Sequence, residues 1–206
     1  MAAAGASADP AGIAGALAAR GYAVTERWLA ARLIAALRAR LRSLDRRGAF
    51  RAAAIGAGAH RAVRPALRGD RLCWLEPPYA APERDFLAAL ERLRGALNAE
   101  LGLGLFDVEC QYAIYAPGAV YVRHLDRSPA GAERILSAVA YLNAGWRAGD
   151  GGELRLYADG GPVSVAPCAG TLVLFESARF EHEVCAAGRE RLSIAAWFRR
   201  RPARPL

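Results

Sequence analysis

The chain contains no lysine. All 28 of its basic residues are arginine, set against 20 acidic ones for a formal net charge of +8. Such an excess steers an acidic partner surface toward the molecule. A lysine-free chain rich in arginine and alanine is read first as the imprint of a GC-rich genome, and most of the arginines need no further reason. No stretch of about 18 apolar residues is free of charge, which excludes a helical membrane span. The segment from Met1 to Asp9 lacks the basic start of a signal peptide and reads as a frayed end; a cytoplasmic location is expected. Cys73, Cys110, Cys168 and Cys185 form no Cys-x-x-Cys pair, so a structural zinc site is not expected and the thiols read as reduced and largely buried. Arg199-Arg200-Arg201 comes without an aromatic–basic platform or a recognisable nucleic-acid module, so it reads as a solvated tail and no dedicated nucleic-acid site is expected. No internal repeat is evident.

What is present fits one domain. A chain of 206 residues, 54% hydrophobic although much of that is alanine, can bury a substantial core. A short helix is expected over about 10–20, a strand over 22–25 and a longer helix over 27–46. In that longer helix Leu29, Leu33, Leu37 and Leu41 recur every four positions, a buried stripe. Gly48 to Gly69 has no clear period; an irregular segment that long in a compact domain is functional or mobile. His60 within it reads as a surface histidine. Asp70 to Leu75 reads as a strand. Pro82 suits the first turn of a helix carrying Phe86, Leu90, Leu93, Leu97 and Leu101 on one face and ending near Gly102. These helices are expected to buttress a sheet.

From Phe106 onward strands and turns alternate. Strands are expected near 108–115, 119–125, 134–142, 153–157, 162–166, 171–175, 181–185 and 191–198. Pro117-Gly118, Gly149 to Gly152, Asp159-Gly160-Gly161 and Ala169-Gly170 supply the turns. The fold class is therefore α+β, mainly β: a double-stranded β-helix, or jelly roll. Residues 1–105 form a helical N-terminal support with a rim strand and loop, 106–198 the β core, and 199–206 the basic tail.

The chemistry concentrates in His124-Leu125-Asp126, His182 and Arg191. Val120 to Asp126 reads as one strand, on which residues two apart share a face. His124 and Asp126 then project together, in line with Val120 and Val122. With a distant His182 they make a facial 2-His-1-carboxylate set, which holds Fe(II) on one side and leaves the other open. A structural zinc site would close all four positions instead. His-x-Asp alone is common by chance. Arg191 strengthens it: Arg191, Ser193, Ala195 and Trp197 alternate onto one face, where a guanidinium can grip a carboxylate in bidentate fashion beside small neighbours.

The stretch from about Leu67 to Phe198 resembles the 2-oxoglutarate- and Fe(II)-dependent dioxygenases. The likeness is to prolyl 4-hydroxylases of the oxygen-sensing type and their bacterial relatives. Arg68-Gly69-Asp70 with Trp74, Tyr115-Ala116-Pro117-Gly118, Tyr121 to Asp126, Tyr141-Leu142-Asn143 with Trp146, Gly151-Gly152-Glu153, and His182-Glu183-Val184 carry it. The resemblance implies Fe(II) on His124, Asp126 and His182. It also implies 2-oxoglutarate with its distal carboxylate on Arg191 and Tyr141, Tyr115 (after a one-residue gap) lining the same pocket, O2 as oxidant, and ascorbate as a candidate reductant. Asp70, Trp74, Tyr121, Arg134 and Trp197 match positions around the target proline. Alternation places Tyr121 opposite His124, so a twist or bulge is needed to re-aim it. Ala195 stands where the oxygen-sensing members carry threonine, one hydroxyl fewer beside the co-substrate. The bacterial members act on the switch region of the translation factor EF-Tu, which makes EF-Tu the expected partner of a monomeric enzyme. A dioxygenase of a free amino acid or peptide is the first alternative, and the extended rim speaks against it. A silent jelly-roll binding module is the second, and the complete ligand set speaks against that. A nucleic-acid demethylase is weaker still, since no base pocket is visible.

Overall fold

The computed structural model describes residues 9–56, 62–126 and 133–201. The expectations for the frayed start over residues 1–8, for His60 and for tail residues 202–206 lie outside the described residues.

Among the described residues, three helices and three short strands precede the β core. Helix α1 (Pro10–Arg20) starts where the Asp9 side chain accepts from the Ala11 N–H at 3.1 Å, with Pro10 in the first turn. It ends at Gly21, whose φ of +78° is left-handed. Strand β1 (Tyr22–Thr25) follows. Helix α2 (Ala31–Arg46) begins four residues later than expected, so Leu29 precedes it. The buried stripe is Leu29, Ile34, Leu37 and Leu41, while Leu33 is only partly buried. The short strand β2 (Arg51–Ala52) and an Ile55–Ala62 bridge give partial order to a segment in which no period is legible. Strand β3 (Asp70–Trp74) and helix α3 (Ala81–Leu101) complete the support. Helix α3 buries Phe86, Leu90, Leu93 and Leu97 and stops at left-handed Gly102.

Eight strands make the core: β4 (Leu105–Tyr115), β5 (Tyr121–His124), β6 (Glu133–Tyr141), β7 (Leu154–Ala158), β8 (Gly161–Val165), β9 (Leu172–Glu176), β10 (His182–Val184) and β11 (Arg191–Arg200). They lie in two antiparallel sheets. The larger has the order β1-β9-β6-β11-β4-β3-β2 and the smaller β5-β10-β7-β8. The chain crosses between the sheets after β4, β5, β6, β8, β9 and β10, which is the double-stranded β-helix.

Parity decides the layers. Even-numbered residues of β4 and β11, such as Tyr112, Ile114, Ile194 and Phe198, pack under α2 and α3 with Leu37, Leu41, Phe86 and Leu90. Odd-numbered residues of β4, β6 and β9 face the second sheet: Tyr115, Tyr141, Val173 and Phe175 meet Leu154, Leu156 and Val184. One strand can serve both layers because its side chains alternate. Two expectations are corrected. Strand β5 ends at His124, and Asp126 lies just past it rather than within it. Arg199 and Arg200 are not tail but the end of β11. Arg199 pairs with Asp107 (2.7 Å) and Glu109 (3.0 Å) of the neighbouring β4, and Arg200 donates at 2.9 Å to the carbonyl of Leu103, just before β4.

Candidate metal centre

Strand β10 brings His182 to His124 of β5 as direct ladder partners. The ladder then shifts register, with Val184 opposite Tyr121, so β5 uses three residues where β10 uses two. That bulge sets Tyr121 on the same side as His124, and the two rings stack with centroids 3.5 Å apart. It also turns Val122, expected in line with His124, outward to 39% exposure.

Donor atoms of His124, Asp126 and His182 lie within 4.8 Å of one another. Each imidazole has its Nδ1 against a backbone carbonyl, His124 on Val122 (2.8 Å) and His182 on Phe180 (3.2 Å). Donation there fixes the tautomer and leaves Nε2 as the free lone pair. Both Nε2 atoms face Asp126, at 3.5 and 3.7 Å. The Asp126 Oδ2 accepts from Ser137 Oγ and from the Trp197 indole N–H, both at 2.8 Å. Burial works to raise the Asp126 pKa, but the adjoining rings of His124 and His182 and the hydrogen bond from the Trp197 N–H outweigh it, so the carboxyl sits well below the usual range. Burial lowers the pKa of His182 to about 4, partly opposed by the charge of Asp126. Two imidazoles and a carboxylate with one oxygen tied back suit a divalent cation, and their nitrogen and oxygen donors suit Fe(II).

Arg191 opens β11 beside Tyr115 of β4 and is buried. Its Nε donates to the Gly152 carbonyl (2.9 Å) and Nη1 to Ser193 Oγ (3.3 Å). Among the described residues its Nη2 is buried without a partner, and so is the Tyr141 hydroxyl. The guanidinium carbon lies 5.0 Å from the ring centroids of both Tyr115 and Tyr141. Gly152 is required here: its φ is +74°, and a Cβ would lie 2.9 Å from the Ala187 Cβ and 3.4 Å from the Arg191 Cδ. Burial pushes the Tyr141 hydroxyl up to about 12, so it is a donor at neutral pH, and Tyr115 is raised for the same reason. An unpaired guanidinium N–H beside an unpaired phenol O–H is costly when buried unless an anion takes both. A carboxylate fits that place.

The rim residues are less uniform. Asp70 is 2% exposed and forked onto Arg68, with Nε–Oδ1 2.8 Å and Nη2–Oδ2 3.2 Å. The Arg68 guanidinium covers the Tyr121 ring at 4.5 Å. Arg134 donates to Glu109 at 2.8 Å and lies 3.9 Å over the Trp197 ring. Trp74 is 40% exposed, its ring 5.9 Å from that of Trp197. Arg68 was named from sequence only within the Arg68-Gly69-Asp70 segment, with no role, and Ser137 and the hydrogen bond from Trp197 to Asp126 were not singled out. The odd parity of Ser137 and Trp197 on neighbouring strands was the available signal.

A family profile described as the 2OG-Fe(II) oxygenase superfamily matches residues 110–199. A crystallised Pseudomonas putida prolyl-4-hydroxylase is 44% identical, with a TM-score of 0.85 over 93% of this chain and 99% of that one. A Trichoplax adhaerens prolyl hydroxylase, solved with a hypoxia-inducible factor peptide fragment, is 26% identical with a TM-score of 0.80, covering 92% and 88%. The hypoxia-inducible factor prolyl hydroxylase of Caenorhabditis elegans is 40% identical over 91 residues, which are 42% of this chain and 12% of the nematode protein.

Proposed function

The chain belongs to the 2OG-Fe(II) oxygenase superfamily, among its prolyl hydroxylases, and from that premise we propose that it 4-hydroxylates a prolyl residue of a protein, EF-Tu, in the cytoplasm. The observation that carries the reading is the partnerless Arg191 Nη2 and Tyr141 hydroxyl beside the His124–Asp126–His182 cluster. One end of the cavity suits a dicarboxylate, and the other suits the iron that such a dicarboxylate would share.

Iron and 2-oxoglutarate, when bound, supply the oxidising chemistry: O2 is consumed, succinate and CO2 are released, and a substrate C–H becomes C–OH. The residues supply position. His124 and His182, held by their Nδ1 contacts, offer Nε2 to the metal. Asp126 offers Oδ1, since Ser137 and Trp197 occupy Oδ2. Arg191 and Tyr141 hold the distal carboxylate, and Tyr115 walls the same pocket. Trp74, Arg134, Trp197 and Tyr121 frame the entrance for the proline. Asp70 acts through Arg68, which it fixes over Tyr121. That the Trichoplax adhaerens relative was solved with a protein-derived peptide supports a protein substrate.

The test is the mass of purified EF-Tu after incubation with the protein, Fe(II), 2-oxoglutarate and ascorbate. A gain of one oxygen atom, mapped to a proline, is expected. An unchanged EF-Tu alongside oxidised prolyl peptides would keep the reaction and remove this partner.

A further inference from the structure

The chain's one glutamine is Gln111, on the cavity-facing side of β4. It is 3% exposed, and its carboxamide has no hydrogen-bond partner among the described residues, although it borders the cavity shared by His124, Asp126, His182 and Arg191. Its place in the sheet shows what it faces. One ladder row runs Trp74 (β3), Gln111 (β4), Ala195 (β11), Val139 (β6). Trp197 and Ser137, which hold Asp126, lie two residues from Ala195 and Val139 on β11 and β6. Gln111 therefore lies two residues, about 6.7 Å along the strand, from the row that holds Asp126, and one strand, about 4.8 Å, toward the exposed Trp74. The Arg191–Tyr141 pocket is elsewhere: Tyr115, the β4 partner of Arg191, is four residues or about 13 Å along the strand from Gln111. Its ladder neighbour Ala195 is small and leaves the amide free to project.

We propose that Gln111 is a substrate-positioning residue whose side-chain N–H donates to a backbone carbonyl flanking the target proline. The chemistry favours donation. A prolyl residue has no N–H of its own, so the backbone groups nearest its ring are acceptors: its own carbonyl and the preceding one. A carboxamide matches them, and an aliphatic side chain would not. The assignment rests on the prolyl reading of the site.

The test uses the full chain loaded with Mn(II) and 2-oxoglutarate without oxygen. N-acetylproline N-methylamide is the probe, and its binding is read from Mn(II)-induced relaxation of its ring protons. Gln111→Met removes the donor, and Gln111→Glu keeps the shape but presents acceptors only. Both are expected to weaken the probe about fivefold to tenfold, the scale of one hydrogen bond, with 2-oxoglutarate affinity within twofold of wild type. Equal probe affinity in all three proteins, or a loss confined to 2-oxoglutarate, would overturn the assignment while leaving the prolyl reading intact. A wild-type protein that binds 2-oxoglutarate but not the probe would overturn the assignment, since the claimed contact is to groups the probe contains, while oxygen addition to EF-Tu tests the prolyl reading separately.

Discussion

Replacing Trp197 by phenylalanine should loosen the metal rather than merely the wall of the cavity. The indole N–H is one of two donors to Asp126 Oδ2, each at 2.8 Å. Phenylalanine keeps a ring under Arg134, which lies 3.9 Å over the present one, and deletes the donor. A hydrogen bond to a charged acceptor contributes about 1.5–3 kcal/mol. Groups that orient a metal-binding side chain typically change metal affinity 10–100-fold, or about 1.4–2.7 kcal/mol. The two scales agree. Titration calorimetry with Mn(II) at pH 7 should therefore show Trp197→Phe binding about 10–100-fold more weakly than wild type, with an unchanged far-ultraviolet spectrum. Ser137→Ala should behave alike, and the double variant should lose more than either. Mn(II) affinity within twofold of wild type in Trp197→Phe would refute the reasoning and leave Trp197 as packing.

Arg191→Gln should raise the KM for 2-oxoglutarate about 10–100-fold, the cost of losing charge-assisted hydrogen bonds to a buried carboxylate. Metal affinity measured without 2-oxoglutarate should barely move, and a parallel loss of both would count against separate pockets. His182 gives the metal-free protein a pH signature. Its pKa falls from 6.5 in the unfolded chain to about 4 in the folded one, so between those values only the unfolded state gains the proton. Stability is therefore full above pH 6.5 and declines as pH falls toward 4, by at most roughly 3 kcal/mol. Denaturant unfolding at pH 7 and pH 5 should show a smaller difference in His182→Gln than in wild type; equal differences would contradict the burial cause. Glu83→Ala should cost about 1–3 kcal/mol, since the buried carboxylate pairs with Arg40 and accepts from the Ala80 N–H at the start of α3. Denaturant melts would read that loss, and the KM for 2-oxoglutarate should stay put.

Much of this architecture was legible because its signals were local. Period-two alternation placed Arg191, Ser193, Ala195 and Trp197 on one face, and the β11 ladder has that arrangement. The apolar spacing of Phe86, Leu90, Leu93 and Leu97 marked α3. What alternation alone could not give is what pairing between distant strands decides. The bulge that stacks Tyr121 on His124 depends on how β5 meets β10, nearly 60 residues away in the chain. Arg199 looked like part of a basic tail because Asp107 and Glu109, its partners, are about 90 positions upstream. Trp197 read as rim or core, since no single-chain pattern shows an indole aimed at Asp126. The late start of α2 has a similar origin. The Trp28 N–H is taken by the Gly170 carbonyl at 2.8 Å, so a tertiary bond holds the segment out of the helix.

The central claim is that the His124–Asp126–His182 cluster and the Arg191–Tyr141 pocket together couple 2-oxoglutarate turnover to oxidation of a prolyl residue. The direct measurement is succinate released against hydroxyproline formed, with Fe(II), 2-oxoglutarate and EF-Tu, in wild type and His124→Ala. One succinate for each hydroxyproline, stimulated by EF-Tu and abolished by the substitution, is the expected result. Succinate formed without hydroxyproline in any prolyl substrate, or hydroxyproline still formed by His124→Ala at the wild-type rate, would contradict the account.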